Sequence, residues 1–396
     1  MLARVLPYFD ITYSLSTIFA YIIATFTAAF ILFLFVYRVS SSFWSKQPML
    51  RPWSIKPIFN SSYIIQNKLT PVINKHVNVS LLISVVAATE LEHEKNAIID
   101  FLESNIKPID TSESNPSYAN IWYFLQGGKI PSYIGLYKES YTNEIISCIT
   151  SYPSDVKYLD HPIFTSHYIS NLCTRLSDRK TKITDQLMGT FQYRLLQKHP
   201  KIITGVFKTH SALPYITPIA KYMTYGYDIN SVLFLNKHTI SQSRSITQRN
   251  KLLTHKNINE IRSLIKDAAA ASDYAVTPSI TTLASLIHHK VYFIFKDVRK
   301  AKTFYVFQES SFKYYDKSSI ELIASFNGDI HGTIDAIIQL QRMVNAKYIM
   351  ISNVSNNNCF LNILRNNKKH FYEKQTFCYM YNYAIRPLNS NKCFII

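Results

Sequence analysis

A basic turn between two apolar segments is the part of this sequence whose residue types are best suited to chemistry. From Asn171 to Asp185 (NLCTRLSDRKTKITD), a strand-like segment passes through Arg179, Lys180 and Lys182 into an amphipathic, helix-like pattern. The first turn of a helix presents backbone N–H groups without helical partners, and basic side chains beside it add positive charge. The run therefore predicts a phosphate or pyrophosphate site that needs no glycine-rich loop. A solvated basic turn is the alternative.

The other chemistry-bearing residue types lack the spacing of a metal or nucleotide site. His93 beside Glu94 does not have the H-E-x-x-H spacing of a zinc site, and the neighbours His288 and His289 point to different faces of any regular element. The five cysteines contain no C-x-x-C pair, which favours reduced thiols over a disulfide or zinc framework. Neither a G-x-G-x-x-G nor a G-x-x-x-x-G-K-[ST] element is present, which excludes Rossmann and P-loop sites.

The net charge indicates an anionic partner but does not identify it. Forty-three Lys and Arg against 25 Asp and Glu give a formal charge of +18, enough to attract nucleic acid, anionic lipid or a phosphorylated cofactor. No recognised nucleic-acid-binding motif accompanies that charge, so we expect no nucleic-acid partner. The 47 % hydrophobic content can supply a sizeable core for a folded chain of this length.

An apolar segment near the start of the chain predicts a membrane anchor. The segment Leu15 to Tyr37 is almost entirely apolar and meets the ~20-residue length that a bilayer-spanning helix requires. Arg38 follows it directly, where a signal peptide would carry a small-residue cleavage site. Arg38, Lys46 and Arg51 outweigh Arg4 on the other side, so the positive-inside tendency places the body in the cytosol. We expect a single-pass membrane protein.

The apolar patterns beyond the anchor repeat one order of elements. Apolar residues at four-residue spacing predict a helix from Ile183 to Leu195, and a strand is expected at Ile202–Phe207. Later in the chain, a helix around Ile334 to Val344 precedes a strand at Tyr348–Ile351. Helix, strands, helix and strand occur twice, which predicts an α/β architecture of two related halves.

The basic run resembles the strand, phosphate loop and helix of the N-myristoyltransferases, and further motifs follow in the family's order. These segments are Phe43–Pro48, similar to F-W-x-x-Q-P; Ser117–Leu125 with Pro131 and Gly135; Leu213-Pro214; the bridge-like Ile240–Arg249; and Tyr379–Tyr383, similar to Y-L-Y-N-W. The resemblance runs from about Phe43 to Ile396, which is nearly all of the body.

The resemblance implies a mixed α/β fold of two tandem acetyltransferase-like (GNAT-like) halves with a pseudo-twofold relation. An anchor at 1–40 would precede an acyl-CoA-binding half at 41–230 and a half at 231–396 that builds much of the peptide groove. The implied activity is direct transfer of a fatty acyl chain, myristoyl in the family, from acyl-CoA to the amine of an N-terminal glycine. Acyl-CoA would be a co-substrate and glycine-ended proteins the acceptors, with no metal and no permanently bound cofactor.

Three catalytic roles follow from the resemblance. The carboxylate of Ile396 aligns with the chain-terminal general base, and the backbone N–H groups of Asn171 and Leu172 align with the oxyanion hole. Such fixed donors stabilise a tetrahedral intermediate, and losing one typically costs ~3 kcal/mol. The threonine of a T-A-G element falls at Thr209 or at Lys208, depending on one gap.

The ligand-binding positions carried over from the family form two groups. Those that would contact CoA are Phe43, Trp44, Arg179, Lys180, Thr181, Lys182 and Ile183. Those that would contact the acceptor are Ser170 (or a slipped Asn171), Tyr305, Ser310 (or Glu309) and Tyr381. For Phe43 and Trp44, an interfacial aromatic belt just beyond the membrane span is the alternative.

One departure from the family pattern leaves a second class of function open. The glycine-aspartate-glycine loop that precedes the Y-L-Y-N strand in the family appears here as Phe371–Thr376 (FYEKQT). The alternative is therefore a non-catalytic, membrane-anchored structural or adaptor protein of the same fold, with or without retained acyl-CoA binding.

Overall fold

The computed structural model describes most of the chain, in two compact units, Met1–Gln47 and Pro48–Ile396. The described residues are 15–39, 43–69, 71, 73–80, 82–106, 114–116, 118–179, 181–240, 249–310, 312–315 and 317–396. Lys180, Ser117 and most of the bridge-like segment, at 241–248, lie outside these ranges.

The first unit contains helix α1, Leu15–Val39, followed by a short 3-10 helix at Phe43–Lys46. Its stretch Thr17–Val36 is, within the described residues, the one helical segment long and apolar enough to cross a membrane. The hydroxyls of Thr25 and Thr27 each donate to the carbonyl four residues earlier, at 2.8 Å. Hydroxyls satisfied inside the helix suit an apolar environment. The segment coincides with the predicted anchor.

The second unit carries the remaining helices and all the described strands. The helices are α2 Lys56–Phe59, α3 Lys95–Asn105, α4 Ile121–Leu125, α5 Ile183–Lys198, α6 Ile229–Ile240, α7 Ile258–Ala271, α8 Ile280–His288, α9 Ile330–Val344 and α10 Asn357–Asn367. The strands are β1 Ser62–Ile64, β2 Ile83–Ala87, β3 Ser114–Pro116, β4 Tyr133–Lys138, β5 Ile145–Tyr158, β6 Phe164–Thr174, β7 Gly205–Thr209, β8 Ala220–Asp228, β9 Asn250–Leu253, β10 Tyr274–Pro278, β11 Tyr292–Asp297, β12 Phe304–Glu309, β13 Phe312–Tyr314, β14 Ser319–Phe326, β15 Tyr348–Ser352, β16 Tyr372–Tyr381, β17 Tyr383–Ile385 and β18 Cys393–Ile395.

A large, mostly antiparallel sheet organises this unit. The described strands run in the order β18-β10-β5-β6-β7-β16-β8-β15-β14-β12-β11-β9, with β4 added to β5 and β2 added to β4. Within that sheet β10 pairs with β18, β6 with β7, and β14 with β15 in parallel. Strand β16 lies between β7 and β8, so late and early parts of the chain alternate in the sheet.

The same local arrangement occurs twice in the sheet. Strand β6 leads through α5 to β7, and the two strands pair only where His167–Ile169 meets Gly205–Phe207. Strand β14 leads through α9 to β15 and pairs from Ser319 to Leu322. The mixed α/β fold expected from the sequence is therefore confirmed, while the boundary between residues 230 and 231 stays a prediction.

Helix α5 illustrates how the apolar spacing produces the packing. Leu187, Phe191 and Leu195 are buried on one face of α5, in one apolar cluster with Ile149 of β5. A Cβ atom at Gly135 of β4 would lie only 2.6 Å from the Phe191 ring, so this close contact requires glycine. The helix predicted from the four-residue spacing is confirmed, and its packing fixes β6 and the turn before α5.

Candidate active site

A β-bulge interrupts β6 at Asn171 and Leu172. Ser170 pairs with Thr150 of β5 and Cys173 pairs with Cys148, so one residue of β5, Ile149, lies opposite both Asn171 and Leu172. Asn171 has a left-handed φ of 54°, a conformation that asparagine tolerates better than most residues. Its Nδ2 donates to Thr150 Oγ1 at 2.8 Å and to Ser170 Oγ at 3.0 Å. These hydrogen bonds hold the bulge in one conformation.

A cavity of about 210 Å³ lies beside the bulge, next to the point where β6 and β7 cease to pair. It is lined by Ser170 and Asn171 of β6, Lys208 of β7, Glu321 of β14 and Ile396. Three residues selected from the sequence, Ser170, Asn171 and Ile396, therefore share one cavity although Ile396 is remote in the chain from the other two. The parallel pairs β6/β7 and β14/β15 both contribute to its walls.

Ile396 is fixed beside the cavity by the last strand. Strand β18 pairs in parallel with β10, and the Ile396 N–H donates to the Val276 carbonyl at 3.1 Å. Phe394 is fully buried, and Ile396 is 7 % exposed. The apolar segment at 393–396 is therefore buried in the sheet, as its composition suggested.

Lys208, and not Thr209, faces the cavity. Successive side chains of a strand point to opposite faces, so only one of the two neighbours can line it. The Thr209 hydroxyl donates to the Ser211 carbonyl at 2.7 Å. The Lys208 Nζ lies 5.9 Å from the centroid of the Tyr168 ring and 5.7 Å from that of Tyr222. Of the two alignments left open by the sequence, the lysine reaches the cavity.

The cavity combines a half-buried ammonium, that of Lys208, with a half-buried carboxylate, that of Glu321. Burial opposes the charge of Lys208, but the surrounding Tyr168 and Tyr222 raise its pKa above the ordinary value of a lysine. Burial raises the pKa of Glu321, whereas Lys208 and a hydrogen bond from Ser352 counteract that rise. The Ser352 hydroxyl donates to Glu321 Oε1 at 3.2 Å. Glu321 was not predicted from the sequence, because a single glutamate in the apolar run SIELIASF carries no local functional signal.

Aromatic residues form the rest of the cavity wall. The rings of Tyr152 and Tyr168 stack with centroids 5.0 Å apart, and Phe124 of α4 meets Tyr292 edge to face at 5.7 Å. Burial raises the pKa of Tyr152 and of Tyr292 above the usual tyrosine range. Both phenols are therefore neutral at physiological pH, and the charges of the cavity come from other groups.

The basic turn before α5 is held together by its own residues. The Arg179 guanidinium donates to the Thr174 carbonyl at 3.2 Å and also to the carbonyl of Asn105. These contacts tie the turn to the end of β6 and to α3. Arg179 therefore positions the turn, while Lys180 lies outside the described residues.

The residues that follow lead directly into the helix. The Thr181 hydroxyl donates to the Asp178 carbonyl at 2.6 Å, and the Ile183 N–H donates weakly to Thr181 Oγ1 at 3.4 Å. Lys182 is exposed immediately before the first helical residue. The structure thus places Thr181, Lys182 and Ile183 at a solvent-facing helix start, as the sequence predicted.

Phe43 and Trp44 belong to the first unit. Their rings meet edge to face with centroids 5.2 Å apart, within the 3-10 helix Phe43–Lys46. The Gln47 N–H donates to the Trp44 carbonyl at 3.3 Å. The F-W-x-x-Q element is therefore a compact local structure.

The remaining predicted acceptor residues lie elsewhere in the second unit. Tyr305 is fully buried in a core cluster built around α9 and α10, and Ser310 Oγ accepts a hydrogen bond from the Phe312 N–H at 3.2 Å. The Tyr381 hydroxyl accepts from Gln192 Nε2. None of the three is among the described residues that line the cavity. The structure does not bring them together with the bulge.

Comparisons with known proteins find their matches at the level of structure. No protein-family model matches the sequence, and the search of curated proteins finds no match either. The chain is similar to a Saccharomyces cerevisiae N-myristoyltransferase with bound myristoyl-CoA, at a TM-score of 0.67 and 14 % identity over 88 % of this chain and 94 % of that one. A second structure of the yeast enzyme, with myristoyl-CoA and inhibitors, matches at a TM-score of 0.67 and 15 % identity over 88 % and 91 % of the two chains. Motif order and the structural match agree: this chain has the fold of the N-myristoyltransferases.

Proposed function

We propose that this protein transfers a fatty acyl chain, myristoyl in the first instance, from acyl-CoA to the amine of an N-terminal glycine. The observation that carries the proposal is the cavity that Asn171 of the bulge and the preceding Ser170 line together with Ile396. The fold supports the choice of donor, because the similar yeast structures hold myristoyl-CoA.

In the proposed reaction, the bulge stabilises negative charge and Ile396 accepts a proton. The acceptor enters as an ammonium and gives one proton to the Ile396 carboxylate, and the free amine attacks the thioester carbonyl. The N–H groups of Asn171 and Leu172 stabilise the resulting oxyanion. The C–N bond forms and the C–S bond breaks. Coenzyme A leaves as a thiolate that takes up the proton held by the Ile396 carboxyl, which restores the base, and the second proton from the nitrogen passes to solvent.

The donor would be held by its phosphates at the start of α5. Lys182 is exposed there, and the unpaired N–H groups of a first helical turn favour anions. Lys180 would add a second positive charge. No step of this scheme requires a metal or a permanently bound cofactor.

Helix α1 would keep the enzyme at a membrane, with the body on the cytosolic side. Support comes from the length and composition of Thr17–Val36 and from the cations that follow the span in the sequence. A membrane surface is also where an acylated product would reside, so the anchor shortens the path from synthesis to destination.

The test uses the full chain in detergent micelles. Isothermal titration with myristoyl-CoA measures donor binding, and a radiolabel assay with glycine-ended peptides measures transfer. Transfer to a peptide with a free glycine amine, and none to its N-acetylated form, is the expected result. If the protein binds the donor but transfers the acyl chain to no peptide with an N-terminal glycine, the non-catalytic adaptor takes the place of the enzyme as the proposal.

A further inference from the structure

Two charged side chains of the cavity have no task in the proposed reaction. Lys208 enters from β7 and Glu321 from β14, so the parallel pairs β6/β7 and β14/β15 supply one of them each. They are the charged side chains among the described lining residues. With the Ile396 carboxylate of the proposed reaction, these side chains give the cavity one cation and two anions when all three groups are ionised. The cavity then carries a net single negative charge.

The cation belongs to the cavity wall and is held there by aromatic rings. The Lys208 Nζ lies 5.9 Å and 5.7 Å from the ring centroids of Tyr168 and Tyr222. Tyr168 in turn stacks on Tyr152 at 5.0 Å. Attraction between an ammonium and aromatic rings, strengthened by desolvation, keeps the lysine charged and in place.

The anion is positioned by a hydroxyl of a neighbouring strand. Glu321 Oε1 accepts from the Ser352 hydroxyl at 3.2 Å, and that hydroxyl lies 2.8 Å from the hydroxyl of Thr224. Ser352 is on β15 and Thr224 on β8, so two neighbouring strands support the carboxylate. Both charges are therefore fixed by the sheet.

We propose that Lys208 and Glu321 are specificity-determining residues that set the acceptor cavity at one net negative charge, so that it selects an acceptor whose amine is a compact primary ammonium. This inference rests on the proposed transfer to an amine. An uncompensated charge in a partly desolvated site is unfavourable, and an occupant with one positive charge compensates it. A neutral molecule of the same shape leaves the cavity charged and binds less well.

The charge count makes the two residues act in opposite directions. Glu321→Gln leaves the cavity neutral, and an entering ammonium then becomes the uncompensated charge. Lys208→Met leaves two negative charges, which favour the ammonium at least as much as the wild-type cavity does. The double variant returns the cavity to one negative charge. If the two residues served only packing or folding, both single variants would instead bind the ammonium more weakly.

The experiment measures binding of two small probes to the full chain in detergent micelles, by NMR titration. Glycinamide carries the ammonium, and glycolamide has a hydroxyl in its place. We expect wild type to prefer glycinamide, Glu321→Gln to bind glycinamide about 30-fold more weakly, and Lys208→Met not to weaken it. The double variant should return close to wild type. Lys221→Met, an exposed lysine of β8, is the matched control.

Each result supports or overturns the inference. It is overturned if wild type does not prefer glycinamide, if both single variants weaken glycinamide binding, or if the double variant stays as weak as Glu321→Gln. Thermal unfolding of each variant shows whether it is folded. If a single variant is not folded, glycinamide binding by the double variant decides whether the inference holds. Transfer is assayed separately on wild type. If the two single variants change glycinamide binding in opposite directions but wild type transfers no acyl chain, only the proposed reaction is wrong. If wild type transfers the acyl chain but the two variants do not act in opposite directions, only the proposed charge balance is wrong.

Discussion

At the scale of single residues, the carboxylate of Ile396 is the group whose position has the largest proposed effect on rate. It is a main-chain group, so no side-chain substitution deletes it, but an extension moves it. Adding Gly-Gly after Ile396 should leave acyl-CoA binding unchanged while slowing transfer by roughly the 10²- to 10⁴-fold typical of losing a positioned base. Single-turnover kinetics at saturating myristoyl-CoA measures this. An extended protein that transfers at the wild-type rate would show that another group takes the proton.

His167 gives a residue-scale prediction about stability and pH. It is 2 % exposed, and neither ring nitrogen has a hydrogen-bond partner among the described residues. Burial, assisted by His199, lowers the pKa of His167 from 6.5 to about 4. Because the folded pKa is lowered, the unfolded chain binds the proton more readily, and stability falls as pH drops from about 6.5 towards 4. The loss attributable to this residue is on the order of 3 kcal/mol.

The matched variant is His167→Phe, which keeps the ring and removes the titrating group. We expect it to fold at pH 7.5 and to lose less stability than wild type between pH 6.5 and 4 in urea unfolding. His210, whose pKa burial also lowers to about 4, remains in the variant and keeps part of the acid sensitivity. Parallel stability curves for variant and wild type would contradict the assignment to His167.

Some residues that line the cavity could be selected from the sequence and others could not, for a physical reason. Ser170, Asn171 and Ile396 belong to motifs that follow one another in the family's order, so residue types and their order were enough to locate them. Glu321 and the orientation of Lys208 depend on which strands become neighbours and on which face a side chain emerges. Such long-range pairing leaves no trace in the local pattern around either residue.

At the scale of elements, the bulge in β6 should depend on the conformation of Asn171. Asn171→Gly loses the hydrogen bonds to Thr150 and Ser170 but accepts a left-handed φ without strain. Asn171→Ala loses the same hydrogen bonds and adds about 1 kcal/mol of backbone strain. We expect Asn171→Ala to be less stable than Asn171→Gly by that amount, in thermal unfolding. Equal stability of the two variants would show that the bulge relaxes to another conformation.

The start of α5 should contribute to donor binding through its charge. Lys182→Glu places a negative charge beside the proposed phosphates, and we expect roughly tenfold weaker myristoyl-CoA binding. Lys201→Glu, an exposed lysine beyond the end of the same helix, is the control for bulk attraction. Isothermal titration of both variants makes the comparison. Equal losses would mean that the positive surface as a whole, and not this turn, attracts the donor.

The elements themselves were more predictable than their assembly. The spacing of apolar residues located α5 and α9 because a helix with one buried face must repeat its apolar positions. The insertion of β16 between β7 and β8 could not be predicted, because hydrogen bonding between strands is not specified by the residues of one strand alone.

At the scale of the whole molecule, the proposed topology predicts the fate of three glycosylation sequons. They begin at Asn60, Asn78 and Asn353, all beyond the apolar helix. With the body on the cytosolic side, none should be modified when the full chain is inserted into microsomes. A gel shift that is reversed by endoglycosidase would place the body in the lumen. A sequon engineered before Leu15 serves as the positive control for the opposite side.

The position of β16 has a consequence for how the chain is made. Strands β7 and β8 are near neighbours in sequence, yet β16 separates them in the sheet. Until residues 372–381 emerge from the ribosome, each therefore presents an unpaired edge, the feature through which nascent proteins aggregate. A message truncated before this strand should yield an insoluble product that chaperones retain. A strand that is synthesised late thus protects two strands that are synthesised much earlier.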